Sequence, residues 1–197
     1  MQRTLVFLVR HGEVENPGRL RYGRLPGFRL SARGHEQVTR TVEHLAQRVS
    51  DVAAGVTSPL ERAVQTAEPI ASRFGLPLFC DARVIEAASH FEGLPLDAPR
   101  SPRYWREMLN PLRPSWGEPF AELGRRMSGA IFDAARAHRG RAVVIVSHQS
   151  PIWVARAHLA GFHGPPWLLG SVRCHHASVS TLWFEGLRCV TWRYWKP

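Results

Sequence analysis

A chain of 197 residues, 44% of them hydrophobic, is long enough for one domain with a substantial core, so a single unit over residues 1–197 is expected. Lys and Arg outnumber Asp and Glu by 26 to 16, a formal charge of +10 that points to anionic partners. The arginines are scattered and come without zinc-finger spacing, a basic heptad region or an aromatic RNA-binding pattern, which disfavours nucleic acid.

The run Leu5-Val6-Phe7-Leu8-Val9 predicts a buried strand ending on Arg10-His11-Gly12, and its length is far too short to span a bilayer. With no signal-like segment behind it, a cytoplasmic location is expected. Val38, Val42, Leu45 and Val49 form a helical stripe behind Ser31, a plausible N-cap. A second strand at residues 52–57 leads into Ser58-Pro59-Leu60-Glu61, which reads as a capping box with proline at the first helical position. Arg62 then falls in the first turn of a helix expected to bury Leu60, Val64, Ala67 and Ala71. Residues 76–80 predict a third strand.

From residue 83 to 118 the alternation breaks into a stretch with Pro95, Pro99, Pro102, Trp105, Pro111, Pro114 and Trp116. Its aromatics suit a packed, cap-like excursion better than a linker. Phe120, Leu123, Met127, Ile131 and Ala134 mark a long helix that Gly140 can end. A strand at 142–146, closed by Ser147-His148, and a helix at 151–160 restore the alternation. Residues 177–184 and 187–195 flank Glu185-Gly186 as a hairpin with at least one antiparallel strand. The expected fold class is α/β, with a mainly parallel sheet.

Parallel strands gather reactive side chains at their carboxyl ends, so Arg10, His11, Arg62 and His148 are expected to share one pocket. Two guanidinium groups offer planar, bidentate recognition of phosphate oxygens. Within that clamp a neutral His11 is the expected nucleophile, provided an acceptor fixes its second ring nitrogen. Arg10, Arg62 and a protonated His148 would stabilise the equatorial oxygens without a metal. Glu86 is the candidate acid for the leaving alkoxide. Gly12 is expected to let the ligand approach the backbone and to free a nearby N–H for it. Two arginine groups, Arg19, Arg21, Arg24 and Arg29, then Arg100, Arg103, Arg106 and Arg113, fall in irregular segments that could overhang a phosphate site. Metal chemistry is disfavoured. His175-His176 lacks a carboxylate partner at ligand spacing and reads as structural or surface, and Cys80, Cys174 and Cys189 lack CxxC spacing and read as buried thiols.

Arg10-His11-Gly12-Glu13, Ser58-Pro59-Leu60-Glu61-Arg62-Ala63-Val64-Gln65-Thr66-Ala67, Ile85-Glu86 with Phe91-Glu92-Gly93, and Val146-Ser147-His148 together resemble the ordered motifs of the histidine phosphatase superfamily, the phosphoglycerate mutase-like proteins. The resemblance implies a three-layer α/β/α sandwich with a mainly parallel sheet and an antiparallel edge strand. It implies a phosphohistidine on His11, a phosphoryl group held by Arg10, Arg62 and His148, Glu86 as proton donor, and no required cofactor or metal. Asn16 resembles the asparagine that follows the family's first motif, one position early, and would join the phosphate-binding set. Gln149 stands where the family usually carries glycine, and Phe91 where it carries tryptophan. The length favours a phosphatase over a phosphoglycerate mutase-type phosphotransferase, Glu86 and His148 argue against a non-catalytic phosphate-binding module, and the arginine-rich segments suit a small anionic metabolite such as a phosphorylated sugar or glycerate. A small phosphorylated substrate is the expected partner, with neither nucleic acid nor membrane, and a homodimer stays open.

Overall fold

The computed structural model describes residues 3–108, 117–164, 168 and 173–197. In chain order these form β1 (Thr4–Arg10), α1 (Ala32–Ala46), β2 (Ala54–Thr57), α2 (Glu61–Phe74), β3 (Leu78–Cys80), α3 (Trp105–Met108), α4 (Phe120–Ala137), β4 (Ala142–Ser147), α5 (Gln149–Leu159), β5 (Val179–Glu185) and β6 (Arg188–Trp195). The six strands make one sheet in the order β3-β2-β4-β1-β5-β6. β1, β2, β3 and β4 pair parallel, whereas β5 runs antiparallel to both β1 and β6.

Strand alternation assigns the layers. Val6 and Leu8 of β1 pack with Val143 and Ile145 of β4 against Met127 and Ile131 of α4 and Ile152 of α5. Phe7 and Val9 point the other way, with Val144 and Val146, toward Leu45 of α1 and Ala63 and Ile70 of α2. All six residues of β4 are buried, which explains its continuous apolar run: a central parallel strand has no solvent face. Ser31 caps α1 as expected, its side chain accepting from the Gly34 N–H. The hairpin is present too, turning at Gly186 with φ 61°. In its C-terminal strand Trp195 stacks on His44 at 3.9 Å, and the Arg156 guanidinium lies 4.8 Å over the Trp192 ring.

Four expectations fail locally, each for a physical reason. α2 buries Arg62, Ala63, Thr66, Ala67 and Ile70, a stripe turned away from Leu60, Val64 and Ala71, because its hidden face carries polar side chains to the sheet end. The capping box does not form. Leu60 is the N-cap without a side-chain bond, and the Ser58 hydroxyl is instead engaged by Leu60 N–H and by His148. Val49 lies past the end of α1 while still packing beside Val52. Of the three cysteines Cys174 alone is buried; Cys80 is exposed because β3 is an edge strand.

The described part of the excursion, residues 83–108 and 117–118, is short turns and 3-10 segments at Ala82–Val84, Ala98–Arg100 and Pro102–Tyr104, with α3 at its end. Bridges Leu20↔Pro95 and Ser89↔Gly117 stitch it to the loop after β1 and to itself. Pro111, Arg113, Pro114 and Trp116 lie outside the described residues. Among the described residues no helix is long and apolar enough to cross a membrane.

Candidate active site

The sheet order explains how distant motifs meet. β1, β4 and β2 are adjacent, so their carboxyl ends present Arg10, Ser147 and Ser58 side by side. The ladder continues one step beyond the strands: His11 N–H donates to Ser147 O at 3.0 Å, and Ser58 N–H to Val146 O at 3.0 Å. His11 and His148 are thereby held with ring centroids 5.1 Å apart.

His11 is buried, and its Nδ1 lies 2.7 Å from the Gly12 carbonyl. A carbonyl only accepts, so Nδ1 carries the hydrogen and Nε2 keeps its lone pair. Burial, then the charges of His148, Arg10 and Arg62, hold the His11 pKa well below the ordinary 6.5. The ring is neutral at neutral pH. His148 is buried as well, and desolvation followed by Arg62 and Arg10 pushes its pKa down in the same way. The protein's own field therefore opposes the protonated His148 that the sequence suggested. Two guanidinium groups leave no room for a third cation unless an anion joins them. His148 Nε2 sits 2.7 Å from Ser58 Oγ, and its Nδ1 has no protein partner.

Arg62 is 1% exposed, one of the largest fully buried side chains described. It donates to the Gly23 carbonyl and lies 4.8 Å over the Tyr22 ring, a cation–π contact. Arg10 donates to Cys174 O at 2.6 Å and to His176 Nε2 at 2.9 Å. The Nε atoms of both arginines are buried without an acceptor, and among the described residues neither arginine has a carboxylate in ion-pair contact. Buried guanidinium groups with unused donors are poor structural elements and good anion ligands.

Gly12 has a different role from the one expected. Its N–H donates to Thr66 Oγ1 at 3.1 Å, and a Cβ there would stand 2.7 Å from the Gly34 carbonyl oxygen. The glycine lets α1 begin against the loop after β1. Asn16 lines the cavity, with its amide bonded at both ends to the Leu20 backbone, at 2.8 and 2.9 Å.

Glu86 lies on the wall of the same cavity, of about 690 Å³, that Arg10 lines. Its Oε1 accepts from Ala87 N–H at 2.9 Å. Its carbonyl accepts from Arg24 Nε at 2.8 Å and Arg126 Nη2 at 3.2 Å. Arg126 also donates to the carbonyls of Arg83 and Ile85 and grips Glu118 through Nε at 2.6 Å and Nη2 at 2.8 Å. Burial opposes the Glu118 charge, yet Arg126 and Arg24 hold its carboxyl below the usual range. Ser147 Oγ ties β4 to this segment through Val84 O at 2.7 Å.

Sequence reasoning missed His176, Tyr22 and Arg126. His176 lies with its ring centroid 5.7 Å from that of His11. Because Arg10 can only donate, His176 accepts at Nε2 and is neutral; burial and Arg10 push its pKa down to about 3. Its orientation follows from Ala177, whose φ is 53° and whose N–H donates to His11 O at 3.1 Å. The pair His175-His176 was the available signal. Gln149 opens α5 and lines the cavity.

A family model described as the histidine phosphatase superfamily, branch 1, matches residues 6–195. An uncharacterised protein of Mycobacterium tuberculosis (strain ATCC 25618 / H37Rv) is 44% identical, covering 100% of this chain and 98% of its own. A probable phosphoglycerate mutase of Yersinia enterocolitica is 33% identical over 91% of this chain and 85% of its own. Phosphoserine phosphatase 1 of Hydrogenobacter thermophilus is 30% identical over 94% and 89%. Among solved structures, YhfR of Bacillus stearothermophilus superposes with a TM-score of 0.80 at 24% identity, covering 94% of each chain, and shares the fold.

Proposed function

The chain belongs to the histidine phosphatase superfamily, branch 1, and on that premise we propose that it hydrolyses phosphomonoesters through a phosphohistidine on His11, without a metal. The carrying observation is the neutral, buried His11 with Nδ1 tied to Gly12 O, beside two guanidinium groups that lack carboxylate partners.

In the first step His11 Nε2 attacks phosphorus in line, the P–O ester bond breaks, and Glu86 passes its proton to the leaving alkoxide. In the second, water attacks the phosphohistidine while the Glu86 carboxylate takes its proton, releasing inorganic phosphate and neutral His11. Arg10 and Arg62 face the charge on the transferring oxygens. Ser58 Oγ accepts from Leu60 N–H and holds His148 through Nε2 at 2.7 Å, leaving Nδ1 as the ring atom without a protein partner. A dianionic phosphoryl group beside it reverses the repulsion from Arg62 and Arg10 and favours the charged ring.

The likeness to a probable phosphoglycerate mutase supports a second reading in which the acceptor is a phosphoglycerate hydroxyl instead of water. Phosphate release from phenyl phosphate in EDTA, wild type against His11→Ala, tests both. Release by the wild type, reduced to background in the variant, is the expected result. An acid-labile phosphoenzyme without release would favour the transferase, and release unchanged in the variant would remove His11 from the chemistry.

A further inference from the structure

The leaving oxygen of a phosphoryl group held by Arg10 has to meet Glu86, so the leaving group occupies the cavity that these two residues share. A second cavity, of about 700 Å³, shares Arg10, Glu13, Gln149, Trp153 and His176 with the first but is not lined by Glu86. The two differ in chemistry. The first alone is lined by Leu20, Leu96, Phe120 and Leu123. Its charged residues, apart from Arg10, are three carboxylates, Glu13, Glu86 and Glu118, and a single cation among the described residues, Arg21.

Arg21 is committed: its Nε and Nη2 both donate to the Leu96 carbonyl, at 3.0 and 2.7 Å. Nor do Arg24 and Arg29 supply free charge to this wall. Arg24 is bonded to Glu86 O and Glu118, and Arg29 pairs with Glu61 at 2.7 Å. Of the arginines expected to overhang, Arg21, Arg24 and Arg29 are thus spent on the protein's own carbonyls and carboxylates. Arg33, Arg173 and Lys196 line the second cavity, away from Glu86. Among the described residues of this wall, a carboxylate or second phosphate on the leaving group would be desolvated beside cations already bonded to the protein's own acceptors.

Resting on the phosphatase reading above, we propose that the preferred substrate is a monophosphate ester of an uncharged, substantially apolar alcohol, seated in the Glu86 cavity. A cavity of this size fits an alkyl chain or aromatic ring with few polar contacts.

The test compares kcat/KM for primary-alcohol monophosphates, whose leaving oxygens are chemically alike: ethyl, butyl and hexyl phosphate against glycerol 3-phosphate and 3-phosphoglycerate. The expected result is a rise of roughly threefold per buried methylene along the alkyl series, with 3-phosphoglycerate at least about tenfold below hexyl phosphate, the cost of desolvating one unpaired charge. Equal or better turnover of 3-phosphoglycerate overturns the proposal. Leu96→Lys adds the missing cation at a side chain 45% exposed, so the core is left alone; circular dichroism verifies its fold. It is expected to raise the ratio of 3-phosphoglycerate to hexyl phosphate turnover by about tenfold, and an unchanged ratio overturns the placement of the leaving group. The phosphatase reading fails separately: no ester, phenyl phosphate included, then releases phosphate above the His11→Ala background, and the proposal falls with it.

Discussion

At the residue scale, the site is made by side chains whose ordinary hydrogen-bond partners are withheld. His11 has one nitrogen fixed and one free, Arg62 is buried with an unused Nε, and His148 keeps an unused Nδ1. His11, Arg10 and Arg62 were legible in the sequence because each sits at or just past a strand end within a recognisable string. His176 was not, because what aims it inward is a left-handed Ala177, and no propensity predicts a positive φ at alanine. Gly12 was legible as important and misread as to cause. Gly12→Ala would press a methyl group to 2.7 Å from the Gly34 carbonyl and 3.2 Å from a Leu30 methyl. Backbone cannot yield cheaply, so we expect a loss of about 2 kcal/mol, which for a chain of this size lowers the melting temperature by roughly 4–8 °C. Thermal unfolding followed by circular dichroism checks this, and an unchanged midpoint would show that α1 can move.

At the element scale, the segment carrying Glu86 has little regular structure and is held by side chains from elsewhere. Arg126 of α4 spans the carbonyls of Arg83, Ile85 and Glu86, and Glu118 locks that guanidinium by accepting from two of its nitrogens. Arg126 is therefore a positioning residue: it touches no reacting atom but fixes the backbone from which Glu86 projects. Replacing it with methionine is expected to lower kcat for alkyl phosphates by about tenfold or more, a part of the 10²–10⁴-fold that general acid catalysis supplies. Turnover of 2,4-dinitrophenyl phosphate, whose leaving group needs no proton, should fall far less. Equal losses on both would mean that α4 packing, and not Glu86 placement, had been damaged. Single-sequence reading could not find this clamp, since Arg126 lies on a helix whose other signals are ordinary apolar spacing. The α2 terminus teaches the converse. Ser58 matches a capping pattern, yet its hydroxyl accepts from Leu60 N–H outside the helix and meets the buried His148 ring, and the helix starts at Glu61 with Leu60 as its N-cap.

At the scale of the whole molecule, several neutral histidines in a chain of net charge +10 couple folding to pH. His11, His148 and His176 all have folded pKa values below the ordinary 6.5, with burial the largest cause in each. The unfolded chain thus binds protons that the folded chain refuses. Stability is highest above pH 6.5 and falls as the pH drops below it, by up to about 1.4 kcal/mol per pH unit for each such histidine. His176 sustains its share of the slope down to about pH 3, where its folded form titrates. Urea unfolding at pH 7.5 and 5.5 should show a lower midpoint at 5.5, and equal midpoints would mean that these rings accept protons without unfolding. The same molecule shows how far sequence reaches. Apolar runs and 3.6-residue spacing determined the elements and the α/β class, since burial on one face or two leaves a period in the chain. The ordered motifs determined the family and named His11, Arg10, Arg62, His148 and Glu86. Tertiary structure decided what spacing cannot encode: the β2-β4-β1 adjacency that brings the clamp together, the charge on His148, the His176 and Arg126 contacts, and the use of the arginines on the protein's own carbonyls. Each depends on partners tens of residues away, and the field at a buried group is set by every charge around it, not by its neighbours along the chain.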